Sequence, residues 1–474
     1  MSMIKITNLT FAYDGTYDNI FENVSFHIDT DWKLGFTGRN GRGKTTFLKL
    51  LMGEYHYQGR IQASAHFDYF PYQVTHPEKN TLEIVETIYP GYEYWATCKE
   101  LSLLEMQEEV LMRPFCTLSQ GERTKVLLAV LFLKENNFLL IDEPTNHLDL
   151  EGRRCVAHYL KRKKGYILVS HDRLFLDHCI DHVLSINKTN IEIQRGDFSS
   201  WMQNKAFQDQ FELAENEKLV KDITRLGEAA KRTAGWSDLT EKSKFGSGAA
   251  DRGYVGHKAA KLMKRAKAIS QRRENAIEEK KKLLKNIETA ESLEIKKEDH
   301  FSEVLLRASD LSLAYGEKSV LSGLDFVIEK GDRIAIVGSN GSGKSTLIHA
   351  VTMSVQKNAN QSQVPLSTPS IDGVIKPTKD LIVSFVSQDT SLLKGNLRDY
   401  AKENGVDEGL FKAMLSKLDF NVIQFDKDMS QFSEGQKKKV LLARSICDRA
   451  HLYIWDEPLN YVDILSRIQL EEML

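Results

Sequence analysis

The feature that most limits what this chain can fold into is an internal duplication. Gly38-Arg-Asn-Gly-Arg-Gly-Lys-Thr45 returns as Gly338-Ser-Asn-Gly-Ser-Gly-Lys-Ser345. Leu9-Thr-Phe-Ala-Tyr13 returns as Leu311-Ser-Leu-Ala-Tyr315, and Leu139-Leu-Ile-Asp-Glu-Pro144 as Tyr453-Ile-Trp-Asp-Glu-Pro458. Three motifs in one order, repeated after about 300 residues, mean that a whole domain occurs twice. The 474 residues allow about three domains, each with a real core. The expected boundaries are 1–200, 201–300 and 301–474.

Within the first copy, short β-rich runs (Lys33 to Thr37, Phe138 to Ile141, Tyr166 to Val169) alternate with helical stretches at Thr45 to Met52, Glu122 to Lys134 and Glu151 to Lys161. That alternation predicts an α/β fold around a buried mixed sheet. Both G-x-x-x-x-G-K-[ST] segments follow an apolar strand-like run and precede a helix. Gly38, Gly41 and Gly43, with Gly338, Gly341 and Gly343, let backbone N–H groups converge on phosphate oxygens at a helix N-terminus. Asn40, Thr46, Asn340 and Thr346 belong to the same two loops. Lys44 and Lys344 reach toward β/γ-phosphates, and the hydroxyls of Thr45 and Ser345 suit Mg²⁺. These motifs call for ATP with Mg²⁺.

Asp142 and Asp456 end apolar runs and suit Mg²⁺ through its water shell. Glu143 and Glu457 follow directly and are the candidate general bases for an attacking water. Between phosphate loop and Asp-Glu pair lie Leu118-Ser-Gln-Gly-Glu122 and Phe432-Ser-Glu-Gly-Gln436. In each, a Ser and a Gly at a helix start make a second anion site. That site cannot fold back onto its own phosphate loop, so it is expected to face the other copy.

These residues together resemble the ATP-binding cassette (ABC) superfamily, over about 370 of the 474 residues. The resemblance implies two P-loop nucleotide-binding domains, ATP hydrolysis, and a crossed pairing. Ser119 and Gly121 would face the phosphate held by Lys344, and Ser433 and Gly435 the one held by Lys44. It implies that Gln73 and Gln388 contact Mg²⁺ and the water. Tyr13 and Tyr315 would stack on adenine, although core packing is an open alternative for either. His171, in Val169-Ser-His-Asp172, resembles the switch histidine. The second copy shows no counterpart, because Leu474 follows Asp456 by 18 residues where about 29 would be needed. Missing residues are the favoured explanation, and weak hydrolysis at the site headed by Lys344 is the other.

The region between the copies carries the question of what the ATPase acts on. It is rich in Lys, Glu, Ala and Leu, and is interrupted at Lys244 to Gly253. This predicts an antiparallel helical hairpin with arms of about 30 residues and a reach of roughly 45 Å. From Lys242 to Lys285 stand 14 Lys and Arg against four acids, inside a chain of net charge −2. So local a basic excess points to a polyanion such as RNA. The tip is expected over about 236–256. The candidates there and on the basic arm are Trp236, Lys244, Phe245, Tyr254, Val255, Lys258, Lys261, Lys264 and Arg265. Trp236 and Tyr254 have a second reading as packing residues between the arms, and the basic run one as a solvated face.

The linker, its entry Gly196-Asp-Phe-Ser-Ser-Trp201 and the stretch Asp142-Glu-Pro-Thr-Asn-His-Leu-Asp149 resemble the ABC-F family, and Tyr453-Ile-Trp-Asp-Glu-Pro-Leu-Asn-Tyr461 resembles most closely its Lsa and Vga antibiotic-resistance type. The Gln73–Ser119 and Gln388–Ser433 separations are 46 and 45 residues. They leave no room for a long inserted arm, and none for the coiled coils of chromosome ATPases. The resemblance implies a partner in the bacterial 70S ribosome: E-site binding, 23S rRNA contact, the P-site tRNA beside it, and removal of lincosamides, pleuromutilins and streptogramin A. A housekeeping translation factor and a DNA-associated ATPase are the competing readings. No apolar run of about 20 residues occurs, so no membrane span is expected. Five scattered cysteines fit free thiols in a reducing cytoplasm. The expected state is a monomer whose two cassettes pair internally.

Overall fold

The computed structural model describes residues 3–13, 19–39, 41–134, 137–146, 148–186, 191–242, 292–295, 297–358, 369–420 and 422–474. Contacts divide the chain into two units, one of Met1–Ser199 with Ala290–Leu474 and one of Ser200–Thr289. The first unit holds both cassettes.

The first cassette opens on β1 (Met3–Phe11) and β2 (Phe21–Asp29), followed by β3 (Lys33–Thr37), α1 (Lys44–Leu51), β4 (Gln58–Gln62) and β5 (His66–Phe70). Next come α2 (Thr81–Ile88), α3 (Tyr94–Leu103), α4 (Gln120–Leu133), β6 (Asn137–Asp142) and α5 (Leu150–Lys161). It closes with β7 (Tyr166–Val169), α6 (Arg173–Cys179), β8 (His182–Ile186) and β9 (Ile191–Arg195). A six-stranded sheet runs β5-β6-β7-β3-β8-β9, parallel except at the β8–β9 edge, and a smaller antiparallel sheet runs β2-β1-β4. The central strands β3, β6 and β7 are covered on both faces, which is why they read as apolar runs without alternation. Leu34, Phe36, Leu140 and Ile167 are fully buried and pack with Phe47 and Leu48 of α1 and with Ile4 and Ile6 of β1.

Between the cassettes, α7 (Phe198–Lys242) runs for 45 residues, about 68 Å at 1.5 Å per residue. Asp177 anchors its start, with Oδ1 accepting from Ser199 N at 2.7 Å. The arm is longer than the expected 30 residues because Gly227 and Gly235 do not break it. A helical glycine costs about 1 kcal/mol, which a long run of good helix formers absorbs. Lys244, Phe245, Tyr254, Val255, Lys258, Lys261, Lys264 and Arg265 lie outside the described residues, as do the side chain of Trp236 and the returning arm.

In the second cassette β10 (Val304–Tyr315), β11 (Lys318–Glu329) and β12 (Ser370–Pro377) form an antiparallel sheet. α8 (Lys344–Asn358) follows the phosphate loop, and β13 (Val383–Val386) pairs in parallel with β14 (Leu452–Trp455). α9 (Leu397–Glu403), α10 (Glu408–Lys417), α11 (Glu434–Cys447) and α12 (Ile464–Met473) share one core, built on Leu397, Phe411, Leu415, Leu442 and Leu470. One expected strand has no ladder. Residues 333–337 correspond to β3, which takes its hydrogen bonds from β7 and β8. Among the described residues nothing pairs with 333–337, so Ile334, Ile336 and Val337 are 58%, 44% and 79% exposed.

Candidate functional site

The phosphate loop of the first cassette turns into α1 through Gly43, whose φ of +90° is in the left-handed region. A Cβ there would meet Ile20 Cγ2 at 2.5 Å, so space and backbone both require glycine. Lys44 folds over the loop and donates to Gly38 O at 2.7 Å and Arg39 O at 3.2 Å. It is buried, and burial lowers its pKa despite the nearby Asp463, Glu143 and Asp142 charges. Asn40 lies outside the described residues.

Beside Lys44, Asp142 Oδ2 accepts from Thr45 Oγ1 and from Tyr69 OH, each at 3.0 Å. Burial raises the Asp142 pKa, while the two hydroxyls and Lys44 oppose that shift. Glu143 follows at φ +50°, and Glu457 of the second cassette at +45°. A left-handed conformation costs a non-glycine residue about 1 kcal/mol or more, and both copies hold it at this position. Burial first, and then the Asp142 charge, push the Glu143 carboxyl up to about 8. Its Oε1 lies 3.3 Å from His171 Nε2, and among the described residues neither carboxylate oxygen has a hydrogen-bond partner. His171 is buried, and burial with the Lys44 and Arg467 charges holds its pKa well below the usual range, so the ring is neutral.

A cavity of about 830 Å³ opens over these groups. Tyr13, Gly41, Gly43, Lys44, Thr45, Thr46, Asp142, Glu143 and His171 line it from the first cassette. Ser433, Glu434, Gly435 and Tyr461 line it from the second. Tyr13 is 39% exposed, and its hydroxyl pairs with Thr46 Oγ1 at 2.7 Å. Ser433 caps α11 and shares a capping box with Gln436, so its N-terminal amides are presented at a defined angle. Gln73 is exposed and stands outside the cavity lining, whereas its neighbours Tyr72 and Val74 are part of it.

The second set is wired differently. Lys344 donates to Gly338 O at 2.9 Å and Ser339 O at 2.8 Å, repeating the posture of Lys44. Gly341 and Gly343 hold φ of +80° and +94°. Ser345 and Thr346 open α8 half-buried, and Tyr315 is 39% exposed. Gln388 Nε2 donates to Glu457 Oε2 at 2.7 Å, as does Asn460 Nδ2. Asp456 is buried, and its carbonyl accepts from Lys438 Nζ at 2.8 Å. From the first cassette, Asp149 Oδ2 accepts from Asn340 N at 3.4 Å. Ser119 and Gly121 start α4, where Ser119 and Glu122 form the matching capping box.

Residues 21–146 and 321–460, more than half of the chain, match the ABC transporter family. The chain belongs to that family. It is an ATPase with two ATP-binding cassettes. It is 27% identical over 483 residues to the ribosome protection protein VmlR of Bacillus subtilis, covering 100% of this chain and 82% of that protein. It is 25% identical over 505 residues to the energy-dependent translational throttle protein EttA of Escherichia coli, covering 96% and 84%. Among solved structures, the archaeal ribosome recycling factor aABCE1 in complex with stalk protein aP1 superposes with a TM-score of 0.58. At 18% identity, and with 98% of this chain and 81% of that one covered, the likeness is one of tandem-cassette fold. Among the described residues, no helix is long and apolar enough to cross a membrane.

Several groups of this ABC site carry no signature in the sequence. Tyr69 holds Asp142, and Tyr461 enters the cavity from the opposite cassette. Arg467 adds its charge to both Glu143 and His171. Arg173, two residues after His171, pairs with Glu471 of α12 at 2.7 Å.

Proposed function

We infer that this chain is a cytoplasmic ABC-F ATPase that acts on the bacterial ribosome, of the antibiotic-protecting Lsa and Vga type. In this reading it binds the E site as a monomer. ATP at the cassette interface closes the cassettes. The basic hairpin is then held toward 23S rRNA and the P-site tRNA, and lincosamides, pleuromutilins and streptogramin A leave the peptidyl-transferase centre. The observation that carries the reading is α7, a 45-residue helix between two cassettes, leading into the segment with 14 basic and four acidic residues. Phosphate contacts along such a segment suit RNA. The likeness to a ribosome protection protein over the whole of this chain supports it.

The chemistry is assigned to named groups. Lys44 and the loop amides hold the phosphates, and Ser433 and Gly435 close on them from the second cassette. Thr45 and Asp142 suit Mg²⁺, which when bound offsets phosphate charge. Their oxygens already converge at 3.0 Å, and Gln73 is assigned to the same shell. Glu143, whose carboxylate oxygens have no hydrogen-bond partner among the described residues, takes a proton from the attacking water, and His171 orients it. Ser345, Asp456, Gln388 and Glu457 take the corresponding parts at the site headed by Lys344, faced by Ser119 and Gly121. Tyr13 and Tyr315 are assigned to adenine.

The test is co-sedimentation of the Glu143→Gln, Glu457→Gln double variant with 70S ribosomes. Retention with ATP and release without it is the expected result. A folded, ATP-binding variant that never pellets with ribosomes would remove the ribosome from the reading. The likeness to the translational throttle protein favours a second reading, a factor that acts on stalled ribosomes. Unchanged lincosamide and pleuromutilin susceptibility in an expressing host would select it.

A further inference from the structure

Among the described residues, the first phosphate loop makes an ion pair with the opposite cassette. Arg39 Nη1 lies 2.6 Å from Asp419 Oδ1, with the side chains 10% and 26% exposed. Arg39 is the second residue of the loop that Lys44 covers. Asp419 closes α10 in a left-handed turn, φ +64°, its amide donating to Ser416 O at 3.0 Å. That turn is fixed from within its own cassette, because Leu418 O accepts from Lys439 Nζ at 2.7 Å. Lys439 sits on α11 and also pairs with the buried Asp463, which caps α12, at 2.5 Å. α11 begins at Ser433, which with Gly435 lines the same cavity as Lys44. The contacts therefore form a closed circuit: phosphate loop, Asp419 turn, Lys439, α11, and back to the phosphate loop.

We propose that Arg39 is a positioning residue for the Lys44 site. Its ion pair with Asp419 sets Ser433 and Gly435 of the second cassette against the phosphate loop of the first. The duplication shows that this device is one-sided. Glu105 occupies the place of Asp419, with φ +56° and its amide on Ser102 O at 3.0 Å. Lys125 stands six residues after Ser119, as Lys439 does after Ser433. At the place of Arg39, however, stands Ser339, which has no charge to offer Glu105. The two ATP sites are thus tied to the opposite cassette by different contacts, the Lys44 loop by the Arg39–Asp419 ion pair and the Lys344 loop by the bond from the Asn340 amide to Asp149. The proposal rests on the ATPase activity and not on the ribosomal reading.

The experiment is steady-state ATP hydrolysis by the full chain, without ribosomes, in a double-mutant cycle. Arg39→Ala and Asp419→Ala should each lower kcat about fivefold, the value of a partly buried ion pair near 1 kcal/mol. KM should stay within about twofold, because the pair acts on closure of the signature helix. The double variant should be no worse than either single one, and Arg39→Lys should recover part of the loss. Ser339→Arg should raise the rate, and Glu105→Ala should cancel that gain. Additive losses, or an inert Asp419→Ala beside an impaired Arg39→Ala, would make Arg39 a direct phosphate contact and overturn the proposal. A loss that Arg39→Lys does not relieve, in proteins with unchanged unfolding temperature, would overturn it as well.

Discussion

Glu143→Gln should stabilise the ligand-free protein, and by an amount that depends on pH. The carboxyl is raised from 4.5 to about 8, mainly by burial and then by the Asp142 charge. In the unfolded chain it ionises near its ordinary value, so from about pH 4.5 upward the native state holds a proton that the unfolded state has lost. The sign follows: wild-type stability falls as pH rises through this window, and the penalty levels off above the folded pKa. At pH 7 the gap is about 2.5 units, worth roughly 3 kcal/mol at 1.36 kcal/mol per unit. The side chain keeps 19% of its accessibility, which brings the figure to about 2–3 kcal/mol. Gln keeps the shape without the charge. Thermal unfolding of both proteins from pH 4.5 to 9 reads the effect. For a cassette-sized domain, 2–4 °C per kcal/mol gives an advantage of roughly 5–10 °C at pH 7, widening toward pH 8 and vanishing near pH 4.5. A constant offset across pH, or an advantage that grows in acid, would refute the assignment of this group.

The same ionisation should appear in kinetics: kcat/KM of the Lys44 site should rise with pH through about 8, and Glu143→Gln should remove that limb. Lys439→Ala leaves Asp463 charged and buried without its partner, and should cost about 3–5 kcal/mol by denaturant unfolding. Lys439 and the amide of Ser466 hold Asp463 far below the usual carboxylate range against its burial. That stability is present above about pH 4 and is lost as pH falls below it. Tyr13→Phe removes the hydroxyl that bonds Thr46, about 1 kcal/mol, and should leave ATP affinity nearly unchanged. Tyr13→Ala should weaken it about tenfold if the ring stacks on adenine, since such stacking is worth about 1–3 kcal/mol per base.

The residues that announce themselves in the sequence are those whose chemistry fixes a spacing. Gly43 and Lys44 lie one after the other because a helix must begin where the phosphate sits. Asp142 and Glu143 end a strand that is apolar because both its faces are covered. Asp419, Lys439, Arg467 and Glu471 had no such mark. Each is a charged residue on or beside a helix, indistinguishable by spacing from a solvated one, and each gains meaning only from a partner more than 20 residues away or in the other cassette. Arg39 was legible as a loop residue but not as a link, because its partner lies 380 positions along the chain. Segment 333–337 shows the reverse limit: its run is apolar, yet among the described residues it has no ladder partner and Ile334 and Val337 are exposed.

Duplication gives two sites from one plan, and the two copies differ in the contacts that surround it. Both phosphate-loop lysines fold onto their own carbonyls, and both glutamates take the same left-handed turn. The shared plan thus holds at the phosphate and at the attacking group. The copies part at the contacts between cassettes. Asp149 directs Oδ2 to the amide of Asn340 across the interface, while its counterpart Asp463 is held by Lys439 inside its own cassette. Arg39 reaches Asp419, whereas Ser339 has no charge for Glu105. Arg173 pairs with Glu471, whose place in the first cassette, eight residues after the capping aspartate, is taken by Ala157. The Arg39 and Arg173 pairs place charge beside the Lys44 site, whereas the Asp149 carboxylate reaches the loop of the Lys344 site. If hydrolysis times release from a partner, the site with the additional links is the one whose turnover the opposite cassette can adjust.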